Sequence, residues 1–494
     1  LVGRFVMSET AINGLKPELI WKRFYEITRI PRPSKKEGKI REHLRSFFKE
    51  QKISFKEDST GNIIARVPAT AGCENSPTVI LQGHIDMVCE KNKDYRHDFD
   101  NDPIEIKRED GWITAEGTTL GSDNGIGVAA ALAVVNDSNI IHGPIEILLT
   151  VDEEIGMTGA NYLDSTLLKG RILLNLDSEE DGAFYVGCSG GIDTLAEIEL
   201  DTEKVPAGYF PYEIIVTGLK GGHSGLDIIQ GRANAIKLLV RALYFISDEN
   251  CSISSINGGN LRNAIPREAD AVVFIKNGRE AEVEKKLIMF EEKLKNEFKR
   301  TDSGLKINFR NSDNITHKVF TKNCERKIID ILLALPHGVI AMSQDIPDLV
   351  ETSTNLAVIS TDSNFLNIST SQRSSINSSK DYIASSVRAV IELAGGKVSV
   401  ADEYPGWKPN MESAILKTSQ NVYKNLFQKE PKIKAIHAGL ECGFLGERIP
   451  RLDMISFGPT IEGAHSPDEK VNIETVQKFY DLIKGILKKL AEKK

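Results

Sequence analysis

The sequence predicts an α/β fold: a mixed, largely parallel sheet flanked by helices, with an inserted α+β domain. Short apolar runs rich in β-branched residues, at 78–81, 145–151 and 171–176, are typical of strands buried on both faces of a parallel sheet. Turns and helical patterns alternate with these runs, as they do in α/β proteins. From about Ile192 the strands alternate in polarity and lack acidic residues at their ends, which indicates a second type of domain.

The predicted helices follow from apolar residues at helical spacing. Two amphipathic helices are predicted between Pro17 and Gln51, and an Ala-rich helix over 125–135, directly after a glycine-rich turn. Further helices are predicted over residues 231–247, 281–300, 411–429 and 473–493.

The change of pattern along the chain predicts two domains. At 494 residues the chain exceeds what one hydrophobic core normally serves. Residues 7–191 and 401–494 are predicted to form one domain, because the first pattern returns after the Pro- and Gly-rich stretch 404–409. Residues 192–400 are then an insertion. The residues before Met7 look like an expression remnant and are left out of the fold prediction.

Charge and cysteine content narrow the class of protein. The formal net charge of -8 and the sequence pI near 5.8 argue against nucleic acid or an anionic membrane as a partner. No apolar stretch approaches the roughly 20 residues that span a bilayer. The six cysteines are scattered without a CxxC pair, which favours reduced thiols and a cytoplasmic location.

Histidine and acidic residues stand where the apolar runs end. His84 follows the first run, Glu153 and Glu154 follow the second, and Asp177 follows the third. Open α/β sheets bind ligands just beyond the carboxyl ends of their strands. These side chains are therefore predicted to emerge together at one edge of the sheet.

Two further residues complete this set. Asp123 lies in a turn with glycine on each side, whose conformational freedom lets the carboxylate be aimed, and His465 lies far downstream. A lone histidine after a strand is usually structural, and an acidic cluster is usually a solvated loop. The coincidence of several strand-end placements favours instead a site in which the two imidazoles and three of these carboxylates hold two divalent metals.

A series of motifs, in order along the chain, resembles the cytosolic non-specific dipeptidases. These are also called aminoacyl-histidine dipeptidases or peptidase D, and they belong with the co-catalytic zinc peptidases related to carboxypeptidase G and the aminoacylases. The motifs occupy residues 83–88, 121–125, 152–156, 175–179, 221–225, 437–443 and 463–467. The resemblance implies a zinc aminopeptidase-like catalytic domain, interrupted by a lid or dimerisation domain.

The same resemblance implies a ligand set for two ions. Asp123 would bridge both, His84 and Asp177 would complete one site, and Glu154 and His465 would complete the other. Zinc is the ion expected from the family. Nitrogen and oxygen donors also admit manganese or cobalt.

Two carboxylates near these ligands are expected to act in catalysis. The resemblance implies that Asp86 would hydrogen-bond the far nitrogen of His84 and orient its ring. The spacing agrees with this role, since residues i and i+2 of a strand point to the same side. Glu153 would be the general base that takes a proton from metal-held water, so that hydroxide attacks the peptide carbonyl. Glu153 would then protonate the leaving amine.

Residues further along the chain are expected to contact the substrate. His223 is expected at the start of a helix, and the resemblance implies that it stabilises the tetrahedral intermediate, from the same or a second subunit. The alternative is a histidine that caps its own turn. Arg373 and Asn263 are candidates for binding the substrate carboxylate, since guanidinium suits a bidentate contact. His437 and Glu441 are candidates for the pocket lining.

The expected function is hydrolysis of unblocked dipeptides of broad sequence, Xaa-His among them. An amidohydrolase of N-acyl amino acids would share the metal machinery and differ in its pocket. An inactive binding protein on the same fold is a further alternative, although every ligand and Glu153 are present. A homodimer formed through the inserted domain is expected, with a single-chain pseudo-dimer as the alternative.

Overall fold

The structure is a computed structural model that describes residues 9–248, 250–313 and 316–492. The supposed expression remnant before Met7 lies outside these residues, as do residues 7–8 and 493–494 of the predicted first domain. The described chain divides into two compact units. The first contains residues 9–187, 409–435 and 440–492, and the second contains residues 188–408 and 436–439.

The first segment of unit one alternates strands and helices. Its strands are β1 (Ser54–Glu57), β2 (Ile63–Val67), β3 (Val79–His84), β4 (Ile106–Glu109), β5 (Trp112–Ala115), β6 (Ile145–Thr150), β7 (Ile172–Asn175) and β8 (Ala183–Cys188). Its helices are α1 (Glu18–Thr28), α2 (Gly38–Glu50), α3 (Ser122–Asn136), α4 (Glu153–Gly156) and α5 (Thr158–Asn161). A 3-10 turn covers Ser165–Leu167.

Unit two is richer in strands. These are β9 (Gly190–Glu199), β10 (Thr202–Lys204), β11 (Tyr209–Thr217), β12 (Gly222–His223), β13 (Cys251–Gly258), β14 (Ala264–Ile265), β15 (Ala269–Lys276), β16 (Lys306–Asn311), β17 (Lys318–Phe320), β18 (Gly338–Met342), β19 (Val350–Thr361), β20 (Phe365–Ser374) and β21 (Lys397–Tyr404). Its helices are α6 (Ala235–Ile246), α7 (Glu280–Glu297), α8 (Lys322–Ala334) and α9 (Asn377–Leu393), and a 3-10 turn covers Ile228–Gln230.

The last segment returns to unit one. Its strands are β22 (Lys432–Ile436), β23 (Asp453–Ser456), β24 (Ile461–Glu462) and β25 (Lys470–Asn472), and its helices are α10 (Ala414–Phe427), α11 (Glu441–Arg448) and α12 (Ile473–Ala491).

The main sheet of unit one has the predicted parallel centre. Among the described residues its order is β1-β2-β6-β3-β7-β23-β8-β22. The β6-β3, β3-β7 and β7-β23 pairs are parallel, whereas β1-β2, β2-β6 and β23-β8 are antiparallel. The last segment therefore supplies a strand beside β7, next to the first segment of the chain.

Burial explains why these apolar runs form strands and helices. Every residue of β3 and β6 is buried, as the continuous apolar runs predicted. The Ala-rich helix α3 is buried from Asn124 to Val134. Full burial of one Leu or Ile side chain contributes about 1.5–3 kcal/mol, so this layer holds the strand ends in place.

Unit two is built on an antiparallel sheet in the order β16-β11-β15-β13-β19-β20-β9-β21, with β18 paired to β19. Helix α6 contributes Leu239 and Leu243 to its core, and α8 contributes Ile328 and Leu332. The helix predicted from 231 begins instead at Ala235, because the side chain of Asn234 accepts a hydrogen bond from the N–H of Lys237. The α+β character predicted for this part of the chain agrees with the structure.

Two predictions from composition concern the whole described chain. Among the described residues, no helix combines the length and apolar character that crossing a membrane requires. All six cysteines are free thiols, and four of them are buried.

Candidate metal centre

Parallel pairing brings the ends of three strands of unit one together. His84 ends β3 and lies opposite Thr150, the last residue of β6. The chain continues from β6 into α4, which begins at Glu153. On the other side of β3, the chain leaves β7 and reaches Asp177 two residues later.

His84 lies between two carboxylates. Its Nε2 is 3.1 Å from Oδ1 of Asp123 and 3.3 Å from Oδ1 of Asp177. The His84 side chain is 1% exposed and that of Asp177 is 6% exposed. One imidazole and two carboxylates therefore present ligand atoms to a common point.

His465 makes a second group of the same type. Its Nε2 lies 3.2 Å from Oδ2 of Asp123 and 3.0 Å from Oε2 of Glu154. His465 belongs to the loop between β24 and β25, and its φ of 63° is in the left-handed region, which is uncommon outside glycine. Its side chain is 55% exposed, so this part of the site is open to solvent.

Asp123 belongs to both groups. Its Oδ1 faces His84 and its Oδ2 faces His465. It lies in the first turn of α3, where its φ and ψ, and those of Asn124, are not helical. The structure thus brings all five predicted ligands together, and Asp123 is common to both groups.

The chemistry of this cluster fits divalent cations. Oε1 of Glu154 is buried and has no hydrogen-bond partner among the described residues. A buried carboxylate oxygen without a donor is costly, and a coordinated cation removes this cost. Oxygen and nitrogen donors in this number suit zinc, manganese or cobalt.

The pKa shifts show how much negative charge the cluster concentrates. Burial opposes protonation of His84, but Asp177 and Asp123 outweigh it and raise its pKa well above the ordinary value. Hydrogen bonds to Asp123 and Glu154 raise the pKa of His465 to about 11. Burial raises the pKa of Asp177 to about 6. The cluster therefore has a strong preference for positive charge at its centre.

Asp86 lies beside the ring nitrogen of His84 that faces away from Asp123 and Asp177. Its Oδ1 lies 3.3 Å from Nδ1 of His84, and its side chain is 0% exposed. Its carboxylate accepts hydrogen bonds from the N–H groups of Glu153 and Glu154 and from the hydroxyl of Ser34. Burial works against ionisation, yet His84 and these donors lower the pKa of Asp86 to about 2.

Glu153 lies beside the ligands, at the start of α4. One of its carboxylate oxygens falls within 4.8 Å of ligand atoms of both His84 and Glu154. Burial raises the pKa of Glu153 well above the ordinary value against the pull of His84, and Asp177 raises it further.

Glu441 is enclosed within unit one. Its side chain is fully buried, and its Oε2 accepts hydrogen bonds from Nε2 of Gln82 at 2.6 Å and from Oγ1 of Thr150 at 2.7 Å. Burial raises the pKa of Glu441 to about 8. It therefore contacts residues of β3 and β6, and its Oε1 has no partner among the described residues.

The other predicted site residues lie in unit two. His223 does not begin a helix as predicted: it ends the short strand β12, where it pairs with Ala264 of β14, and α6 begins only at Ala235. Nδ1 of His223 accepts N–H hydrogen bonds from Gly225 at 3.1 Å and Leu226 at 3.0 Å. In the neutral ring, Nε2 therefore carries the proton.

Arg373 and His437 are buried polar residues of the same unit. Nη1 of Arg373 donates to the Tyr404 hydroxyl at 2.7 Å, and Nε2 of His437 lies 2.7 Å from Oγ of Ser353. Burial, with Arg373 and His223 nearby, lowers the pKa of His437 to about 3.

Several buried polar atoms in this part of unit two lack hydrogen-bond partners among the described residues. They are Nε of Arg373, Nδ1 of His437, Oγ of Ser224 and Oδ1 of Asn355. Asn263 is exposed, and its carbonyl accepts a hydrogen bond from the N–H of Ser224. Polar atoms left free in this way are suited to a polar ligand.

Two buried charged residues that contact the turn carrying Asp123 were not predicted from the sequence. Glu469 is 2% exposed and accepts hydrogen bonds from the turn that carries Asp123, and Arg32 is 2% exposed and donates to the carbonyl of Asp86 at 2.6 Å. Neither stands at a strand end or in a spaced pattern. For Glu469 the one available signal was its place four residues after His465.

Comparisons with known proteins agree with this geometry. The model of peptidase family M20/M25/M40 matches residues 80–489. The chain is 44% identical over 489 residues to the cytosol non-specific dipeptidase of Escherichia coli (strain K12). The alignment covers 99% of this chain and 100% of that protein.

Solved structures give the same result. The aminoacylhistidine dipeptidase from Vibrio alginolyticus is 42% identical with a TM-score of 0.91, over 96% of this chain and 97% of that one. An aminopeptidase from Bacillus cereus ATCC 10987 shares the fold at 17% identity and a TM-score of 0.57, over 97% and 100% of the two chains. The predicted resemblance, the fold class and the assignment as a metallopeptidase are confirmed. The chain belongs to peptidase family M20/M25/M40.

Proposed function

We propose that this chain is a cytosolic dipeptidase that hydrolyses unblocked dipeptides of broad sequence, including Xaa-His. The full-length similarity to the non-specific dipeptidase of Escherichia coli, at 44% identity, supports the broad specificity. The similarity to an aminoacylhistidine dipeptidase, at 42% identity and a TM-score of 0.91, supports the Xaa-His substrates.

The observation that carries this proposal is the position of Asp123. Its two carboxylate oxygens lie 3.1 and 3.2 Å from the Nε2 atoms of His84 and His465. Together with Asp177 and Glu154, these residues would hold two divalent ions, which we propose to be zinc. Such a pair lowers the pKa of water and stabilises negative charge on a peptide carbonyl oxygen.

Glu153 is proposed as the general base and acid. Its carboxylate lies beside the ligand atoms, and its backbone N–H donates a hydrogen bond to Oδ1 of Asp86 at 3.1 Å. It takes one proton from the attacking water as the new C–O bond forms. It gives this proton to the leaving nitrogen as the C–N bond breaks, so that the products are two amino acids.

Five residues are proposed to contact the substrate or to line its pocket. His223 presents a proton on Nε2 to the oxygen of the tetrahedral intermediate, because the N–H groups of Gly225 and Leu226 occupy its Nδ1. Arg373 and Asn263 are proposed to bind the free carboxylate, and His437 to line the same pocket. Glu441, which is fully buried, is also proposed to line the pocket near the substrate.

Residues 192–400 are proposed to form an inserted lid or dimerisation domain between the catalytic segments 7–191 and 401–494. On this proposal the protein is a homodimer. Light scattering coupled to size exclusion should give twice the mass of 54.6 kDa, and a monomer mass would contradict it.

A substrate panel tests the proposed activity. Chelated protein is reloaded with zinc or manganese and assayed on free dipeptides, tripeptides, C-terminally amidated dipeptides and N-acetylated amino acids. Free dipeptides should be hydrolysed fastest. Faster hydrolysis of N-acetylated amino acids would instead identify an amidohydrolase, and no hydrolysis with both ions bound would identify a binding protein.

A further inference from the structure

The carboxylate of Glu469 accepts hydrogen bonds from the backbone of the turn that carries Asp123. Its Oε2 accepts hydrogen bonds from the N–H groups of Leu120 at 2.8 Å and Gly121 at 2.9 Å. Its Oε1 accepts from the N–H of Ser122 at 2.7 Å, from the Ser122 hydroxyl at 2.6 Å and from the N–H of Asp123 at 3.2 Å. Both oxygens of one buried side chain are thus committed to four successive residues.

These contacts replace the missing partners at the start of α3. The first N–H groups of a helix have no partner within the helix, and an unpaired buried N–H group is costly. Here the Glu469 carboxylate accepts from the first two of them, the N–H groups of Ser122 and Asp123. Glu469 therefore determines where the backbone of the proposed bridging residue lies.

Glu469 also belongs to the loop that carries His465. This loop joins β24 to β25, and it is closed by hydrogen bonds from the N–H of Ser466 to the carbonyl of Gly463 and from the N–H of Glu469 to the carbonyl of Ser466. The contact from Glu469 to Asp123 joins residues 346 positions apart. One side chain thus ties the two ligand-bearing segments to each other.

Arg32 connects the same turn to the segment that follows β3, because it donates hydrogen bonds to backbone carbonyl groups of both. Its guanidinium donates to the carbonyl of Gly121, and to those of Asp86 at 2.6 Å and Ile85 at 3.2 Å. A Cβ added at Gly121 would lie 2.6 Å from Nη2 of Arg32, and one at Gly125 would lie 2.7 Å from it. The glycines on each side of the Asp123 segment therefore make room for this contact.

We propose that Glu469 is a positioning residue for the metal centre, which keeps the carboxylate of Asp123 beside the imidazole of His465. The inference rests on the proposed metal centre and adds a residue that coordinates neither ion. On this view Glu469 acts on both ions at once, because Asp123 is common to both groups of ligands. The plain alternative is a cap that supports only the fold.

Metal affinity of the substituted protein tests the proposal. In Glu469→Gln the amide keeps one accepting oxygen and turns an NH₂ group towards the remaining N–H donors. Titration of the metal-free protein with Zn²⁺ or Co²⁺ against a competing chelator should show that affinity for both ions falls about 10- to 100-fold, the usual effect of losing a residue behind the ligands. The absorption spectrum of bound Co²⁺ should change as well.

Glu146→Gln is the matched control. Glu146 is 2% exposed in the same unit, lies near the opposite end of β6, and accepts N–H hydrogen bonds from Lys169 and Gly170 at 2.9 Å. It should lower the melting temperature by a similar amount and leave metal affinity at the wild-type level. An equal loss of affinity in Glu146→Gln would show that general destabilisation is the cause, which overturns the proposal.

Two further outcomes separate this inference from the proposed function. Wild-type affinity in Glu469→Gln overturns the inference alone, whereas a wild-type protein that binds no divalent ion overturns the metal centre and the inference with it. If Glu469→Gln fails to fold, Ser122→Ala removes one of the five hydrogen bonds. It should weaken both ions by a smaller factor, and unchanged affinity would again overturn the inference.

Discussion

Asp123 and His465 are 342 residues apart in the sequence, yet Oδ2 of Asp123 lies 3.2 Å from Nε2 of His465. The other oxygen of Asp123 lies 3.1 Å from Nε2 of His84. Both groups of ligands therefore share this one carboxylate. The second group can form only when the last segment of the chain, which carries His465, has folded against the first.

Asp123→Asn should weaken both ions together. An amide carries no negative charge and offers only one oxygen, so neither half of the bridge is preserved. Loss of a residue that only hydrogen-bonds a ligand typically lowers metal affinity about 10- to 100-fold, and we expect a larger loss of affinity here. Elemental analysis after dialysis against a weak chelator should show both ions lost. Retention of one full equivalent would contradict the bridge.

Glu153→Gln should separate metal binding from turnover. The amide is nearly the same size but takes up no proton, so kcat should fall about 10²- to 10⁴-fold or more. The protein should still bind two ions, which elemental analysis of the same sample checks. Near-normal turnover would exclude Glu153 as the base, and loss of an ion would show that it acts as a ligand.

Arg373→Ala should impair recognition of the free carboxylate of the substrate. A hydrogen-bonded charge pair of this type contributes about 1.5–3 kcal/mol, so KM for free dipeptides should rise roughly 10- to 100-fold. Amidated dipeptides should show a much smaller change. Tyr404→Phe is the control, because it removes the hydroxyl that Arg373 contacts and keeps the guanidinium. Equal effects of Arg373→Ala on both substrates would exclude carboxylate recognition.

His223→Ala should lower kcat more than it raises KM. Loss of one hydrogen-bond donor to the intermediate costs about 10²- to 10³-fold in kcat. Steady-state kinetics with one free dipeptide gives both constants. A change confined to KM would place His223 in substrate binding instead of in stabilisation of the intermediate.

The ligand cluster could be anticipated from the sequence because each strand-end residue has a recognisable context. His84 and Asp177 follow continuous apolar runs, and the structure has these runs as neighbouring parallel strands. Parallel strands end at the same edge, so placement at a strand end was enough to predict proximity. The family resemblance then supplied the pairing of ligands with each ion.

Other features left no such trace in the sequence. Glu469 and Arg32 contact backbone N–H and carbonyl groups, which every residue has, so no partner residue reveals them. The helix expected at His223 was wrong because Gly221 and Gly222 adopt φ values of 64° and 138°, which turn the chain into a short strand instead. Glu441 stood in a polar motif, and only the fold shows that it is fully buried.

Anomalous diffraction from crystals of zinc-loaded protein tests the proposed metal centre most directly. We expect two peaks in unit one, with Asp123 in contact with both, His84 and Asp177 on one, and Glu154 and His465 on the other. A single peak, or two peaks of which only one contacts Asp123, would contradict it.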